Sequence, residues 1–563
     1  DKVTISKYEK AEINYHFVRP IKKDNKFFID LEVEYFGYDE AVSDLNFEYS
    51  YSFTENDKIE TSNNLVTDKL YVKKGYNIYK KTIPVKYIPN LWYPNGYGEQ
   101  PLCDYSIKIF DDKIISDQIS GKFAFRTLEF IHADGREDAL PYSIVVNGKR
   151  VYIKGTNIVP LCHMQGNVDE KMLLNRFKAL KECNVNYVRI WGGGHIESEA
   201  FYNKCDEYGI MVMQEFIMSS SGCDDVPSKN HHFLKMLHNV AVHNVKIKRN
   251  HVSLTTMDAG NELSNEKYLG SLDHEAHPAT FEDSTVAMLK GVVNSLCPDI
   301  MFLPSSASGP NALLTQNDIG NNHDVHGPWV YMGVVDHYTL YNESDSILHS
   351  EFGCGGISNY SSLEKFLKKD DLKLCTSHTN NTWRHHSGGW DSYTLREQLM
   401  FGSLTDIPFE DYIKVNQFVQ AESLRYSLES NRRRIWGNVG EMTWQFNEPW
   451  PNIQCSNVID YYGGKKLAYY YMRDAYKPVL TSMKYDKLFY KPNEKFDAEI
   501  SIINDRKTCD YSIKYSINSC QGECFTAGTF TGQAIEDVCI KAGNISFSLP
   551  SNITGGFVVK LET

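Results

Sequence analysis

Between residue 1 and about residue 130, apolar and polar positions alternate in short runs. FFIDLEVEYF (27–36), NIYKKTIPVKYI (77–88) and DYSIKIFDD (104–112) place an apolar side chain at every second position, with Asn, Asp, Gly and Pro between them. Successive side chains of a strand point to opposite faces, so these runs predict strands with one buried face and together an antiparallel β-sandwich. No stretch of helical period interrupts them.

At about residue 140 the rhythm changes to buried-strand runs alternating with amphipathic helices. VYIKGTN (151–157) precedes a helix over 169–184, NYVRIWGGG (186–194) a helix over 198–209, and IMVMQEFIM (210–218) a helix over 231–250. VSLTTMDAGNEL (252–263) is followed by a helix through 282–295, and IMFLPSSAS (300–308), HDVHG (323–327), ILHSEFG (347–353) and GEMTWQFNEPW (440–450) continue the series. Eight such strands predict a (β/α)8 barrel, whose functional groups gather at the C-terminal strand ends. The alternative, a doubly wound open sheet, needs a glycine-rich phosphate loop after its first strand, and KGTNIVP is not one. From about 478 alternation returns in KLFYKP, FDAEISIIND, YSIKYSIN, NISFSLP and GFVVKLE, predicting a second β-sandwich.

Composition narrows the function classes. No apolar run reaches the roughly 18 residues of a membrane span. The net charge of −13 disfavours phosphate backbones, so nucleic acid is not an expected partner. Of the 13 cysteines, Cys183, Cys205 and Cys297 sit in apolar runs, whereas Cys509, Cys520, Cys524 and Cys539 crowd the C-terminal region. Those four suggest one or two disulfides and fit no common zinc spacing. Glycosylation sequons at Asn342, Asn359, Asn380, Asn544 and Asn552 are about as many as chance supplies, so they say nothing of compartment. The pI near 5.8 and the crowded cysteines lean toward a secreted or lysosomal home without excluding the cytoplasm.

Three predicted strands end in carboxylates: Glu215 on the third, Glu262 on the fourth and Glu351 on the seventh. Two carboxylates facing each other across a barrel mouth suit glycoside hydrolysis, one protonating the leaving oxygen and the other attacking the anomeric carbon. Trp191, Trp329 and Trp444, with Tyr338 nearby, add aromatic faces of the kind that stack on sugars. Rival constellations are weak. HEAHP (274–278) lacks one residue of the HExxH zinc spacing, and there is neither a GxSxG elbow nor a phosphate-binding loop.

The segments RIWGGGHIESEAFYNKCDEYGIMVMQEF (189–216), RNHVSLTTMDAGNEL (249–263), LHSEFG (348–353) and WQFNEPWP (444–451), with LWYPNGYGEQPL (91–102) and FAFRTLEF (123–130), resemble glycoside hydrolase family 2. The likeness is to its β-mannosidase-like branch. It implies Glu262 as acid/base, Glu351 as nucleophile and Asn261 as holder of the sugar's 2-hydroxyl. It also implies Arg189, Trp191 and Trp444 as sugar-site residues, His326 and Trp329 as further subsite contacts, and Glu215 as a pocket wall or hydrogen-bond partner. The chain departs from the family at Met257 and Met213, where tryptophans are usual, and at His195 and Ile196 after the glycines. The family also begins with a jelly-roll domain whose tryptophan–aspartate motif reaches the active site, and this chain starts after it. Either a separate chain carrying the jelly-roll supplies that wall, or the sequence is a fragment.

The expected architecture is therefore multidomain: a (β/α)8 TIM barrel over 136–477, flanked by immunoglobulin-like β-sandwich domains over 1–135 and 478–563, the last incomplete. The expected activity is a retaining exo-glycoside hydrolase acting on a carbohydrate substrate, a β-mannoside first, with no metal and no cofactor. A β-glucosaminidase or β-galactosidase, or a carbohydrate-binding protein without turnover, are the alternatives.

Overall fold

The computed structural model describes residues 8–563 apart from 220–224, 272, 376–377, 388–393, 405–406 and 554. Its centre is an eight-stranded parallel sheet: Ile153–Ile158, Tyr187–Ile190, Met211–Glu215, Leu254–Asp258, Met301–Leu303, Asp324–His326, Leu348–Phe352 and Gly440–Thr443. The first strand pairs with both the second and the eighth, which is how the sheet curls into a barrel. Between the fifth and sixth strands the following loop completes the wall, with His326 N donating to Ala312 O at 2.7 Å and Gly309 N to Asp324 O at 3.1 Å. These strands are short and buried along nearly their whole length, as a parallel sheet covered by helices requires.

The helices start where the sequence offers a side-chain acceptor. Asp169 caps Glu170–Glu182, Ser198 caps Glu199–Tyr208, Asn230 caps His231–Lys248 and Asp283 caps Ser284–Leu296, each side chain accepting from a backbone N–H of the first turn. A small antiparallel sheet of Leu128–Ile131, Ser143–Val146 and Lys149–Val151 closes the N-terminal end of the barrel. Trp92 is buried in that core and donates its indole N–H to Asp206 O at 2.8 Å. The functional groups are thus left to the opposite end.

Two sandwiches flank the barrel. The N-terminal one packs a three-stranded sheet (Ala11–Lys23, Lys26–Gly37, Gly75–Pro84) on a four-stranded one (Lys58–Val72, Ala41–Glu55, Cys103–Asp111, Ile114–Phe123). The C-terminal one pairs two three-stranded sheets, Val479–Lys484, Lys495–Asn504 and Val538–Ser548 against Cys524–Ala534, Cys509–Ser519 and Phe557–Glu562. Two expectations need correction here. KLFYKP (487–492) lies outside any strand, and the strand falls just before it. The described cysteines are all free thiols. The ladder explains this: Cys509 faces Ala534, Cys524 faces Asn518 and Cys539 faces Ile503, so none meets another across the strands. Among the described residues, no helix is long and apolar enough to cross a membrane.

The C-terminal sandwich is tied to the barrel by a buried charge cluster. Asp505 accepts from Lys154 Nζ at 3.0 Å and takes Arg432 Nη2 on both oxygens at 2.9 Å. Burial alone would raise the Asp505 carboxyl, but Arg432 and Lys154 hold it below its ordinary value. Its contribution to stability is therefore complete above the unfolded carboxyl's pKa and disappears only as acid titrates the folded one. Asp505→Ala strands two buried cations and is expected to cost about 3–5 kcal/mol. Urea unfolding at neutral pH checks this, and a loss under about 1 kcal/mol would show that the cluster is replaceable by water.

Candidate active site

At the C-terminal end of the barrel, Arg189 organises the interior. It comes from the second strand, is fully buried, and spends its guanidinium on four acceptors from different elements. Nε donates to Glu215 Oε1 on the third strand, Nη1 to Asn157 Oδ1 on the first and to Glu351 Oε2 on the seventh, and Nη2 to Asn261 Oδ1 after the fourth, each at 2.6 Å. The planar fork of an arginine suits this spread of acceptors in a way a lysine does not. Burial opposes its charge, but Glu215 and Glu351 hold the guanidinium above its ordinary value.

Glu215 is wholly buried, and its second oxygen takes the backbone N–H of Gly192. A Cβ at Gly192 would lie 2.8 Å from Phe216 O and 3.0 Å from that carboxylate, and one at Gly193 would enter the Trp191 ring at 2.2 Å. The glycines after Trp191 are thus explained by close approach. Burial pushes Glu215 up to about 7 against the pull of Arg189. Burial and the neighbouring Glu215 push Asp258, at the end of the fourth strand, well above the carboxylate range.

The other two glutamates stand in contrasting settings. Glu351 is almost enclosed, its side chain 6% exposed, with Arg189 on Oε2 and the Trp329 indole N–H on Oε1 at 2.8 Å. Glu262 is 37% exposed and sits at φ 50°, its backbone N–H donating to Ser306 O at 2.6 Å. Its Oε1 lies 2.9 Å from His326 Nδ1, and its Oε2 is 3.5 Å from the Asn261 amide. Burial raises the Glu262 carboxyl while Arg189 and Asn261 pull it down. His326, fully buried on the sixth strand, is lowered to about 4 by burial and so stays neutral.

One donor or acceptor atom from each of Glu262, His326 and Glu351 falls within 4.8 Å of the other two. Spacing alone would admit a cation, yet Glu351 is already bound on both oxygens by N–H donors and Glu262 Oε1 faces the imidazole. The chemistry available is proton transfer and nucleophilic attack, with one carboxylate rigidly held and the other open.

The remaining predicted residues divide. Trp191 and Trp444 meet edge to face at 5.5 Å and 73°, both half-buried, on the same rim as the glutamates. Tyr338 is not at the mouth: it is buried against Tyr426 and Tyr485, donating to Glu422. Met213 and Met257 are buried in the barrel core, so these departures reshape packing behind the site. His195 stands outside, 3.1 Å from Gln165 and 3.3 Å from Glu197. Asn157, Asp258, Asp324, Ser306 and Ser350 belong to the site and were not legible in the sequence, where short polar residues inside strands carry no periodic signal.

Residues 141–301 match the model of the TIM barrel domain of glycosyl hydrolases family 2. That stretch carries the first four strands of the barrel. β-Mannosidase B of Emericella nidulans is 25% identical over 451 residues, covering 78% of this chain and 51% of its own. The enzyme of the same name from Aspergillus niger is 24% identical, with 76% and 50% covered. The chain spans about half the length of these curated relatives. Among solved structures, the β-D-mannosidase of Dictyoglomus thermophilum superposes with a TM-score of 0.80 at 23% identity, covering 98% of this chain and 65% of that one. The exo-chitosanase of Amycolatopsis orientalis gives 0.74 at 16% identity, covering 98% and 62%. These two likenesses show the fold alone, sandwiches included.

Proposed function

We propose that the chain is a retaining exo-β-glycosidase that removes a terminal sugar, a β-mannoside first, by a two-glutamate double displacement. The observation that carries this is the approach of Glu262 and Glu351, with carboxylate oxygens within 4.8 Å. Retaining glycosidases hold their carboxyl groups about 5–5.5 Å apart, whereas inverting ones leave roughly 6.5–9.5 Å for a water. Glu351, fixed on both oxygens, attacks the anomeric carbon. Glu262, raised by burial and open to the mouth, protonates the leaving oxygen and then takes the proton of the incoming water. Asn261, anchored on Arg189 through its carbonyl, keeps its amide for the 2-hydroxyl. Trp191 and Trp444 wall the sugar, and Trp329 and Glu215 act through Glu351 and Arg189. The curated β-mannosidases support mannose over glucosamine and galactose.

The test is hydrolysis of chromogenic β-mannoside, glucosaminide, galactoside and glucuronide, with proton NMR of the first-formed anomer. Release of β-mannose from the mannoside is the expected result. Release of the α-anomer would overturn retention, and turnover of a different sugar alone would overturn the substrate assignment. A protein that bound sugars without turnover would leave the whole panel uncleaved.

The pH profile gives a second prediction. Because Glu262 must be protonated in the free protein, the basic limb of kcat/KM is expected above the ordinary glutamate value of 4.5, in the direction burial drives it. Glu262→Ala should flatten that limb for substrates with good leaving groups. A limb that survives the substitution belongs to another group.

A further inference from the structure

Behind Glu262 lies a chain of hydrogen-bonding groups that the proposed mechanism does not yet use. His326 Nδ1 is 2.9 Å from Glu262 Oε1, and its Nε2 is 3.1 Å from Ser306 Oγ. Ser306 Oγ is 3.3 Å from Ser350 Oγ, and Ser350 bonds Asp324 Oδ1. All four residues behind Glu262 are buried, and they come from the sixth strand, the fifth-strand loop and the seventh strand. Each intermediate link can both give and take a proton: two hydroxyls and an imidazole. At the far end Asp324 Oδ2 is fixed by the backbone N–H and the hydroxyl of Ser308 at 2.8 and 2.7 Å.

Resting on the glycosidase reading above, we propose that Asp324 is a buried proton store for Glu262, replacing through the relay Ser350–Ser306–His326 the proton that Glu262 gives to the leaving oxygen. In the free protein Asp324 carries the proton, the hydroxyls donate toward His326, and Nδ1–H donates to Glu262 Oε1, leaving Oε2–H for the substrate. As Oε2 gives its proton to the leaving oxygen, Asp324 gives one to Ser350, Ser350 one to Ser306, Ser306 one to Nε2, and Nδ1 one to Oε1. One proton leaves Asp324 and one reaches the leaving group, so every link ends neutral and the negative charge rests on Asp324. When water attacks the covalent intermediate, its proton goes to Oε2 and each link passes one back.

The physical gain is that Glu262 is never a bare carboxylate beside the buried ring. Burial favours the scheme at both ends: it raises Asp324, so that it can hold a proton, and keeps His326 neutral, so that it does not trap one. His326, Ser306, Ser350 and Asp324 are accordingly positioning residues that act through Glu262.

Two measurements test this. Ser306→Ala and Ser350→Ala should lower kcat/KM for a phenyl glycoside, which needs the acid, at least about tenfold more than for a 2,4-dinitrophenyl glycoside, which does not. The solvent isotope effect on the phenyl substrate should fall as well. Equal losses on both substrates, with the isotope effect unchanged, would reduce these serines to packing and overturn the relay. The second measurement needs no turnover: nitrogen NMR of 15N-histidine protein, with the His326 signals assigned through His326→Asn. The relay requires the Nδ1–H tautomer in the free protein, and the Nε2–H tautomer there would overturn it. Wild-type hydrolysis of the panel tests the glycosidase reading by itself, so the two failures are distinguishable.

Discussion

Glu351→Ala is expected to lower hydrolysis of aryl β-glycosides by on the order of 10⁴–10⁶, the scale seen when a covalent nucleophile is removed. That corresponds to about 5.5–8 kcal/mol of barrier. The size follows from how Glu351 is held. Arg189 at 2.6 Å and Trp329 at 2.8 Å fix one oxygen each, so the carboxylate meets the anomeric carbon without having to be oriented during reaction. Neither of the other two glutamates is placed to replace it: Glu215 is sealed behind Arg189, and Glu262 is turned toward His326. Azide gives the assignment a stereochemical readout. In Glu351→Ala it should enter the vacated space from the nucleophile's side and yield the α-glycosyl azide. In Glu262→Ala it should open the covalent intermediate and yield the β-glycosyl azide. Activity within about tenfold of wild type, only about 1.4 kcal/mol, would remove Glu351 from its role, and exchanged azide products would swap the two glutamates.

The barrel was legible because its physics is local. Each strand is a short run buried on both faces, and Asp169, Ser198, Asn230 and Asp283 announce the helices that follow. The two proposed catalytic glutamates were legible because they close such runs. The C-terminal sandwich was harder to read: seven of the eleven residues of the strand Cys524–Ala534 are Thr, Gly or Ala, whose small side chains blur alternation, while KLFYKP alternates without pairing. Least legible was how Arg189 joins these residues. Its acceptors lie on four different elements, and only closing the barrel brings Asn157, Glu215, Asn261 and Glu351 within reach of one guanidinium. His326 shows the same limit. The sequence places it at a strand end among expected sugar contacts, but not its setting, which the sixth strand fixes by burying it between the carboxylates and the Ser306–Ser350 pair.

Arg189→Met should separate the structural and chemical roles of that cluster. Methionine fills the same channel but donates nothing, leaving Glu215 and Glu351 buried without their cation. Removing one partner of a buried ion pair typically costs about 3–5 kcal/mol, and a misplaced reacting group about 10²-fold in rate. Both effects are expected here, because Glu215 carries mainly the first and Glu351 with Asn261 the second. Arg189→Lys should not restore either, since one ammonium cannot reach acceptors on four elements. The double variant Arg189→Met/Glu215→Gln decides the partition. Burial already lifts Glu215 to about 7, and without Arg189 its folded pKa rises further above the unfolded value. An acid shifted in that direction destabilises the fold increasingly as pH rises through the unfolded pKa toward the folded one. The double variant should therefore regain more stability over Arg189→Met at pH 8 than at pH 6, measured by urea unfolding, while hydrolysis stays as low as in the single variant. Recovery of activity together with stability would mean that Arg189 serves only the fold, and that Glu351 needs no help to face the sugar.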